Sequence, residues 1–248
     1  MCLIAFAWRP GHAQPLIVAA NRDEFYARPT APLAAWADAP GVCAGRDLEA
    51  GGTWLGIGPA GRFAAVTNIR GGGKTQGQRS RGELCAAYLK GDCSLQAYAH
   101  TVHAQAGEYG GFNLLLGDRQ ALYYLSSHTA PEALGEGVYG LSNAGLNTPW
   151  PKLLKARAAL ADHLDDTPDT WFDMLANPEP AEDAYLPQTG VGLVTERLLS
   201  SIFIASETYG TRASTVLVTQ ADGASTLIER SFGPGGRPLG EVEQVVPA

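Results

Sequence analysis

The chain has 248 residues, 45% of them apolar and 17% charged, a composition that suits a globular protein with a sizeable core and excludes a disordered or fibrous one. Its net charge of −7 argues against a general affinity for nucleic acid or anionic membrane, while leaving room for a local basic pocket. No apolar run approaches the roughly 18–20 residues of a membrane span, so no stable membrane insertion is expected.

In chain order, the apolar runs CLIAFAW and PLIVAAN are separated by the turn-rich RPGHAQ and predict an opening β-hairpin. TWLGIG, PAG and RFAAVTNIR predict a second hairpin, and residues 71–82, GGGKTQGQRSRG, a basic loop. ELCAAYLKG and SLQAYAHTVHAQAGEYG read as two short helices stopped by Gly91 and Gly107. FNLLLGD, RQ and ALYYLSS predict a third hairpin, followed by a strand near VYGLSN. TPWPKLLKARAALADHL reads as a helix with Thr148 as N-cap, and DTWFDMLAN as another. STVLVTQ, ADG and ASTLIERSF form a last hairpin around an Asp-Gly turn. Strands at both ends with helices between them suit antiparallel sheets covered by helices and do not suit a doubly wound parallel sheet. With no repeat and no linker, one domain over residues 1–248 is expected.

The four cysteines, Cys2, Cys43, Cys85 and Cys93, form no CxxC, and are too few for a disulfide scaffold in a chain this long. The first residues lack a basic n-region, and CLIAFAW ends at Arg9-Pro10, too short for a signal core. A reducing compartment and a cytoplasmic location are expected.

Two stretches imitate nucleotide-binding motifs. GIGPAG, Gly56 to Gly61, has GxGxxG spacing, but the fingerprint needs a following helix to bind the pyrophosphate; Pro59 and the strand-like RFAAVTN point to a hairpin turn. Gly73-Lys74-Thr75 resembles the end of a phosphate loop, but Asn68 stands where its first glycine belongs and no strong helix is expected after it. The histidines, His12, His100, His103, His128 and His163, show no HxxxH or HExxH pattern, and no metal site is assigned.

Asn21-Arg22-Asp23-Glu24 follow an apolar strand directly, as a polar strand end and turn would. If the first two strands pair through the turn at 9–14, these polar residues fall near Cys2. Loss of Met1 would place a thiol and an α-amine on that one residue. The amine, with a reference pKa of about 7.7–8.0, can take the thiol's proton near neutrality, so nucleophile and base coincide.

MCLIAFAW, LIVAANRDEFYARPT, AGGTWLGI, RGEL, GFNLLLGD, YGLSNAGLNTPWPKL and YGTRASTVLV together resemble, in order and over almost the whole chain, the NRDE family, also called the transport and Golgi organisation 2 family. The opening cysteine and strand order resemble the N-terminal-nucleophile (Ntn) hydrolase fold, an α+β four-layer αββα sandwich with mostly antiparallel sheets. Within it, the likeness is to the cholylglycine hydrolase and penicillin V acylase group, whose mature chains begin with Cys and carry Asn-x-Asp after the second strand. That resemblance implies Cys2, Asp23 and Asn143 as catalytic residues: nucleophile, holder of the amine and oxyanion donor. Arg212 matches a late arginine more loosely. Many of those enzymes have Arg directly before the Asn; here it is Ala20, and Arg22, two positions on, is expected to point differently.

NRDE-family members are associated with moving haem between compartments and with acyl-CoA and lipid homeostasis. The resemblance therefore implies a protein that binds and transfers haem, or an acyl-CoA-type amphipathic ligand. Asn21, Arg22, Glu24 and Arg212 would lie at the ligand, where Arg22, Arg212 or the 71–82 loop meet propionates or phosphates through charge-assisted hydrogen bonds. No cofactor is required in this reading: haem is cargo, for which the Cys2 thiolate is a soft ligand, and the partner is a haem-accepting protein. The alternative is a Cys2 hydrolase or acyltransferase acting on a non-peptide amide or a thioester.

Overall fold

The computed structural model describes residues 2–71 and 77–248. Its opening hairpin pairs β1 (Cys2–Trp8) with β2 (Leu16–Phe25) from Trp8 opposite Leu16 to Cys2 opposite Arg22. Neither strand shows a polar face because both faces are covered, as in the interior of a layered fold. Ile4, Phe6, Trp8, Val18 and Ala20 face one core, and Leu3, Ala5, Ala7, Ile17 and Ala19 another.

These strands lie inside a six-stranded sheet of order β10-β1-β2-β11-β12-β13, with β10 Gly137–Leu141, β11 Tyr209–Thr219, β12 Ser225–Gly233 and β13 Arg237–Val246. A seven-stranded sheet of order β3-β4-β5-β6-β7-β8-β9 packs against it. Its strands are β3 Thr30–Ala35, β4 Cys43–Asp47, β5 Leu55–Gly58, β6 Arg62–Asn68, β7 Phe112–Gly117, β8 Leu122–Ser126 and β9 Glu132–Ala133. Every strand pairing in the two sheets is antiparallel.

Helices cover the outer faces. α1 (Arg81–Lys90) and α2 (Leu95–Ala104) bury Leu84, Tyr88, Leu89 and Val102 against the seven-stranded sheet. On the other side, α3 (Pro151–Asp162) and α4 (Pro168–Leu175) bury Leu153, Leu160, Trp171 and Phe172 against β1, β2 and β11. The layers are therefore αββα. Gly140 permits the close seat of α3, since a Cβ there would come within 2.8 Å of Leu153. α5 (Leu193–Leu199) lies in the connection from α4 to β11. Among the described residues no helix is long and apolar enough to cross a membrane.

All four expected hairpins are present, and GIGPAG runs from β5 through a turn into β6 as expected. Several details differ. NRDE does not form a strand end and turn: it lies within β2, which continues to Phe25. Thr148 does not cap α3; its Oγ1 accepts from the Gly145 N–H, and Pro151 begins the helix with the fixed φ suited to that position. α2 ends at Ala104, before Gly107. Residues 72–76, including the Lys74 stretch, lie outside the described residues, and residues 77–80 are not helical; α1 begins at Arg81, two residues before the helix expected from ELCAAYLKG. β3, β4, β9, β13 and α5 were not legible as elements.

Candidate functional site

Cys2 opens β1 directly opposite Arg22 of β2. Together with Arg22, Asp23, Trp54, Asn68 and Arg81 it lines a cavity of about 400 Å³. Burial raises the pKa of the Cys2 thiol, and the Asp23 carboxylate adds to this; Arg22 and the backbone N–H of Asp23 pull the other way. Strand alternation puts Arg22 on the same face as Ala20, between the sheets, which corrects the expectation that it points differently. Its guanidinium stacks on Trp54 at 4.4 Å, donates to Thr30 Oγ1 at 3.4 Å and approaches Glu24 at 3.8 Å.

Asn21 and Asp23 turn toward the helical layer. The Asn21 amide donates to the carbonyls of Leu175 and Ile202, both at 2.9 Å, and its Oδ1 accepts from Ser214 Oγ at 2.6 Å. Asn21 therefore pins the strand to the helices. Asp23 is 1% exposed and accepts from Thr211 Oγ1 at 2.8 Å. A bulge in β11 makes this possible. Thr211 pairs with Asp23 and Ala213 with Arg22, so Arg212 is the inserted residue and its side chain leaves the ladder. Arg212 then donates to the carbonyls of Phe25, Tyr26 and Arg28, and borders a second cavity away from Cys2. Its guanidinium holds the turn, and the residue lies at the second cavity and not at the Cys2 cavity.

Burial raises the Asp23 pKa, and Lys152 is the largest influence opposing that rise. Lys152, on the first turn of α3, is 3% exposed, and its Nζ has no hydrogen-bond partner among the described residues. Burial lowers its pKa to about 8, with Asp23 opposing that shift. Arg70 adds a further buried cation near Asp23, ion-paired with Glu196 at 2.8 Å.

Asn143 is fully buried behind the cavity wall. Its Nδ2 donates to both the backbone carbonyl and Oδ1 of Asn68, each at 3.0 Å. An amide nitrogen has two protons, so both are directed at Asn68, and Asn143 does not line the cavity. Asn68, at the end of β6, lines the cavity instead and retains its own Nδ2 donors. The 142–144 segment is fixed by Thr67 Oγ1 and Asn113 Nδ2, which donate to the Ser142 carbonyl at 2.6 and 3.3 Å. Ser142 Oγ in turn donates to the Cys2 carbonyl at 3.1 Å, tying both sheets together at Cys2.

Glu24 lines the cavity, and its Oε1 accepts from the Phe25 N–H at 2.8 Å. Of the cavity arginines, Arg28 is paired with Asp47 and Glu49, and Arg79 with Glu83 and Glu108. Arg81 donates to the Gly111 carbonyl at 3.2 Å and has no ion pair among the described residues. Arg81 belongs to the 71–82 stretch expected to meet anionic groups, and it is the first residue of α1. Asn68 and Lys152 escaped the sequence reading: Lys152 lies inside the TPWPKL stretch, and Asn68 looks like an ordinary strand end.

The comparisons agree with this architecture. The chain resembles in fold a Caenorhabditis elegans N-acylethanolamine-hydrolyzing acid amidase (NAAA) ortholog, with a TM-score of 0.50 and 11% identity, covering 88% of this chain and 92% of that one. That is an Ntn-hydrolase fold. The Transport and Golgi organization protein 2 homologs of Bos taurus and Homo sapiens are 35% and 34% identical, each match covering 94% of this chain and 93% of the relative. The Drosophila melanogaster protein is 29% identical over 97% of this chain and 95% of its own length. The sequence profile described as Transport and Golgi organisation 2 matches residues 1–234, and the chain belongs to that family.

Proposed function

We propose that the chain is a cysteine-dependent acyl-transfer enzyme that hydrolyses an amide or thioester of an anionic amphipathic compound. The observation that carries this reading is the meeting of Cys2, Arg22 and Asn68 at one cavity, with Asp23 and Lys152 buried behind it. With Met1 removed, the α-amine takes the thiol proton and the thiolate attacks the carbonyl carbon. Asn68 Nδ2 donates to the oxyanion, and Asn143 fixes the orientation of that amide. Collapse expels an amine or thiol, which takes the proton back from the α-ammonium. Water then attacks the acyl-cysteine, releasing a carboxylic acid and restoring the thiol. Asp23 balances the ammonium, with Lys152 preventing a net buried negative charge. Arg81 is the cation best placed to meet an anionic group on the substrate.

The nematode amidase is named for cleaving N-acylethanolamines. Its likeness is one of fold, so the chemistry here is argued from the site. The arginine-lined cavity also supports a second reading, reversible carriage of haem or an acyl-CoA to an accepting protein, with Arg22 and Arg81 meeting propionates or phosphates.

Intact-mass analysis of the purified protein, alone and after mixing with octanoyl-N-acetylcysteamine, tests the proposal. Loss of Met1, a transient octanoyl adduct on Cys2 and thiol release that disappears in Cys2→Ala are expected. Retained Met1 with no adduct, alongside saturable binding of haem or octanoyl-CoA without turnover, would overturn hydrolysis in favour of carriage.

A further inference from the structure

Three spaces share Arg22 and Trp54 in their walls. The first is the Cys2 cavity. The next is a gap of about 10 Å³ beneath Cys2, walled by Ile4, Ala20, Val66 and Thr215. That is at the lower limit for holding a water, so the partition is thin and dry. The third is a cavity of about 280 Å³ whose walls include Pro32, Ala213, Phe232, Leu239 and Val242. At about 30 Å³ per water-sized group it has room for an octyl chain.

Two of its polar side chains are engaged elsewhere; Thr30, Ser231 and Glu241 also line it. Glu229 accepts from the Leu33 N–H at 2.8 Å through Oε1 and from Thr215 Oγ1 at 3.3 Å through Oε2. Arg212 is spent on the turn carbonyls. What remains facing the cavity is mainly hydrocarbon, behind a polar cavity that holds the nucleophile.

The two sides of the partition differ in how firmly they are held. Trp54 lies flat on the backbone of Gly45, where a Cβ would fall 2.2 Å from its ring, so the indole is a fixed wall. Arg22 is held by a single 3.4 Å hydrogen bond, the 3.8 Å approach to Glu24 and the stack on Trp54. The guanidinium is the less firmly held side.

We infer that the second cavity is a hydrocarbon-tail site for the acyl group reacting at Cys2, and that Arg22 stacked on Trp54 is the partition this tail displaces. This rests on the acyl-transfer reading and adds the class of acyl group: a linear aliphatic chain of short to medium length. The carbonyl stops at Cys2, the leaving group stays among the arginines of the outer cavity, and the tail passes beneath Cys2 into the inner one.

The test uses S-acyl-N-acetylcysteamine thioesters from acetyl to octanoyl with the full chain. In the wild type, kcat/KM should rise about two- to fourfold per added methylene, in line with burial of each in an apolar space. Ser231→Phe, which projects a ring into the inner cavity, should collapse the octanoyl-to-acetyl ratio at least tenfold; Val242→Phe is the second variant if the first fails to fold. A flat chain-length profile in active enzyme, or a steep one unchanged by either filled cavity, overturns the inference. Calorimetric binding of the octanoyl thioester to Cys2→Ala, with and without Ser231→Phe, tests the site independently of turnover. Binding weakened at least tenfold by the ring supports it, and equal or absent binding in both overturns it. Absence of turnover with ring-sensitive binding would defeat the acyl-transfer reading while leaving the tail site standing.

Discussion

Asn143 holds Asn68 by two hydrogen bonds from a single nitrogen, to the backbone carbonyl and to Oδ1, each at 3.0 Å. The buried residue thereby determines which end of the other's amide faces the cavity. In the proposed reaction Asn68 is the oxyanion donor and Asn143 its positioning residue. Asn68→Ala is expected to lower kcat about 10²–10³-fold with little change in KM, the usual loss for one oxyanion donor. Asn143→Ala should cost less, since Asn68 remains present but less fixed. Steady-state kinetics on one thioester substrate compares them.

Lys152 is the largest influence opposing the rise that burial gives the Asp23 pKa. Lys152→Met should therefore raise the Asp23 pKa further, moving the acid limb of the kcat/KM profile to higher pH. Lys152→Arg should largely restore it, which a purely packing role for the side chain would not predict. The pH–rate profiles of the three proteins decide this.

Burial raises the Glu229 pKa from 4.5 to about 7. Between those values the folded state binds more protons than the unfolded one, so this group's contribution to stability is full below about pH 4.5 and is lost as pH rises through about 7. Glu229→Gln keeps an acceptor for the Leu33 N–H and removes the charge. It should match the wild type near pH 4.5 and exceed it near pH 8 by an amount on the order of 3 kcal/mol. Urea melts at both pH values measure the difference.

Arg212 ties three carbonyls of the turn after β2. Arg212→Ala is expected to cost about 1.5–3 kcal/mol of stability, the range for hydrogen bonds to a charged group. Turnover of a short acyl thioester should change by less than about threefold. A loss of a hundredfold or more in kcat/KM in a folded variant would return Arg212 to the ligand.

Sequence by itself determined the hairpins, the opening pair above all. CLIAFAW and LIVAAN are apolar runs on either side of a turn, and a two-sided core asks for that pattern. Their pairing also placed NRDE near Cys2, and the family likeness brought the layered fold with it. β13 stayed hidden because an exposed edge strand needs no apolar face, and Arg237-Pro238 reads as a break. Which NRDE side chains serve the cavity was decided only by tertiary structure. Neighbours on one strand point to opposite layers, so Arg22 meets the cavity and Trp54 while Asn21 is consumed by helix carbonyls. Arg212 left the site through a one-residue bulge that no local pattern signals. Asn68 and Lys152 reached it from strands and helices distant in sequence, since long-range packing sets which buried polar atoms meet, and sequence spacing carries no record of that.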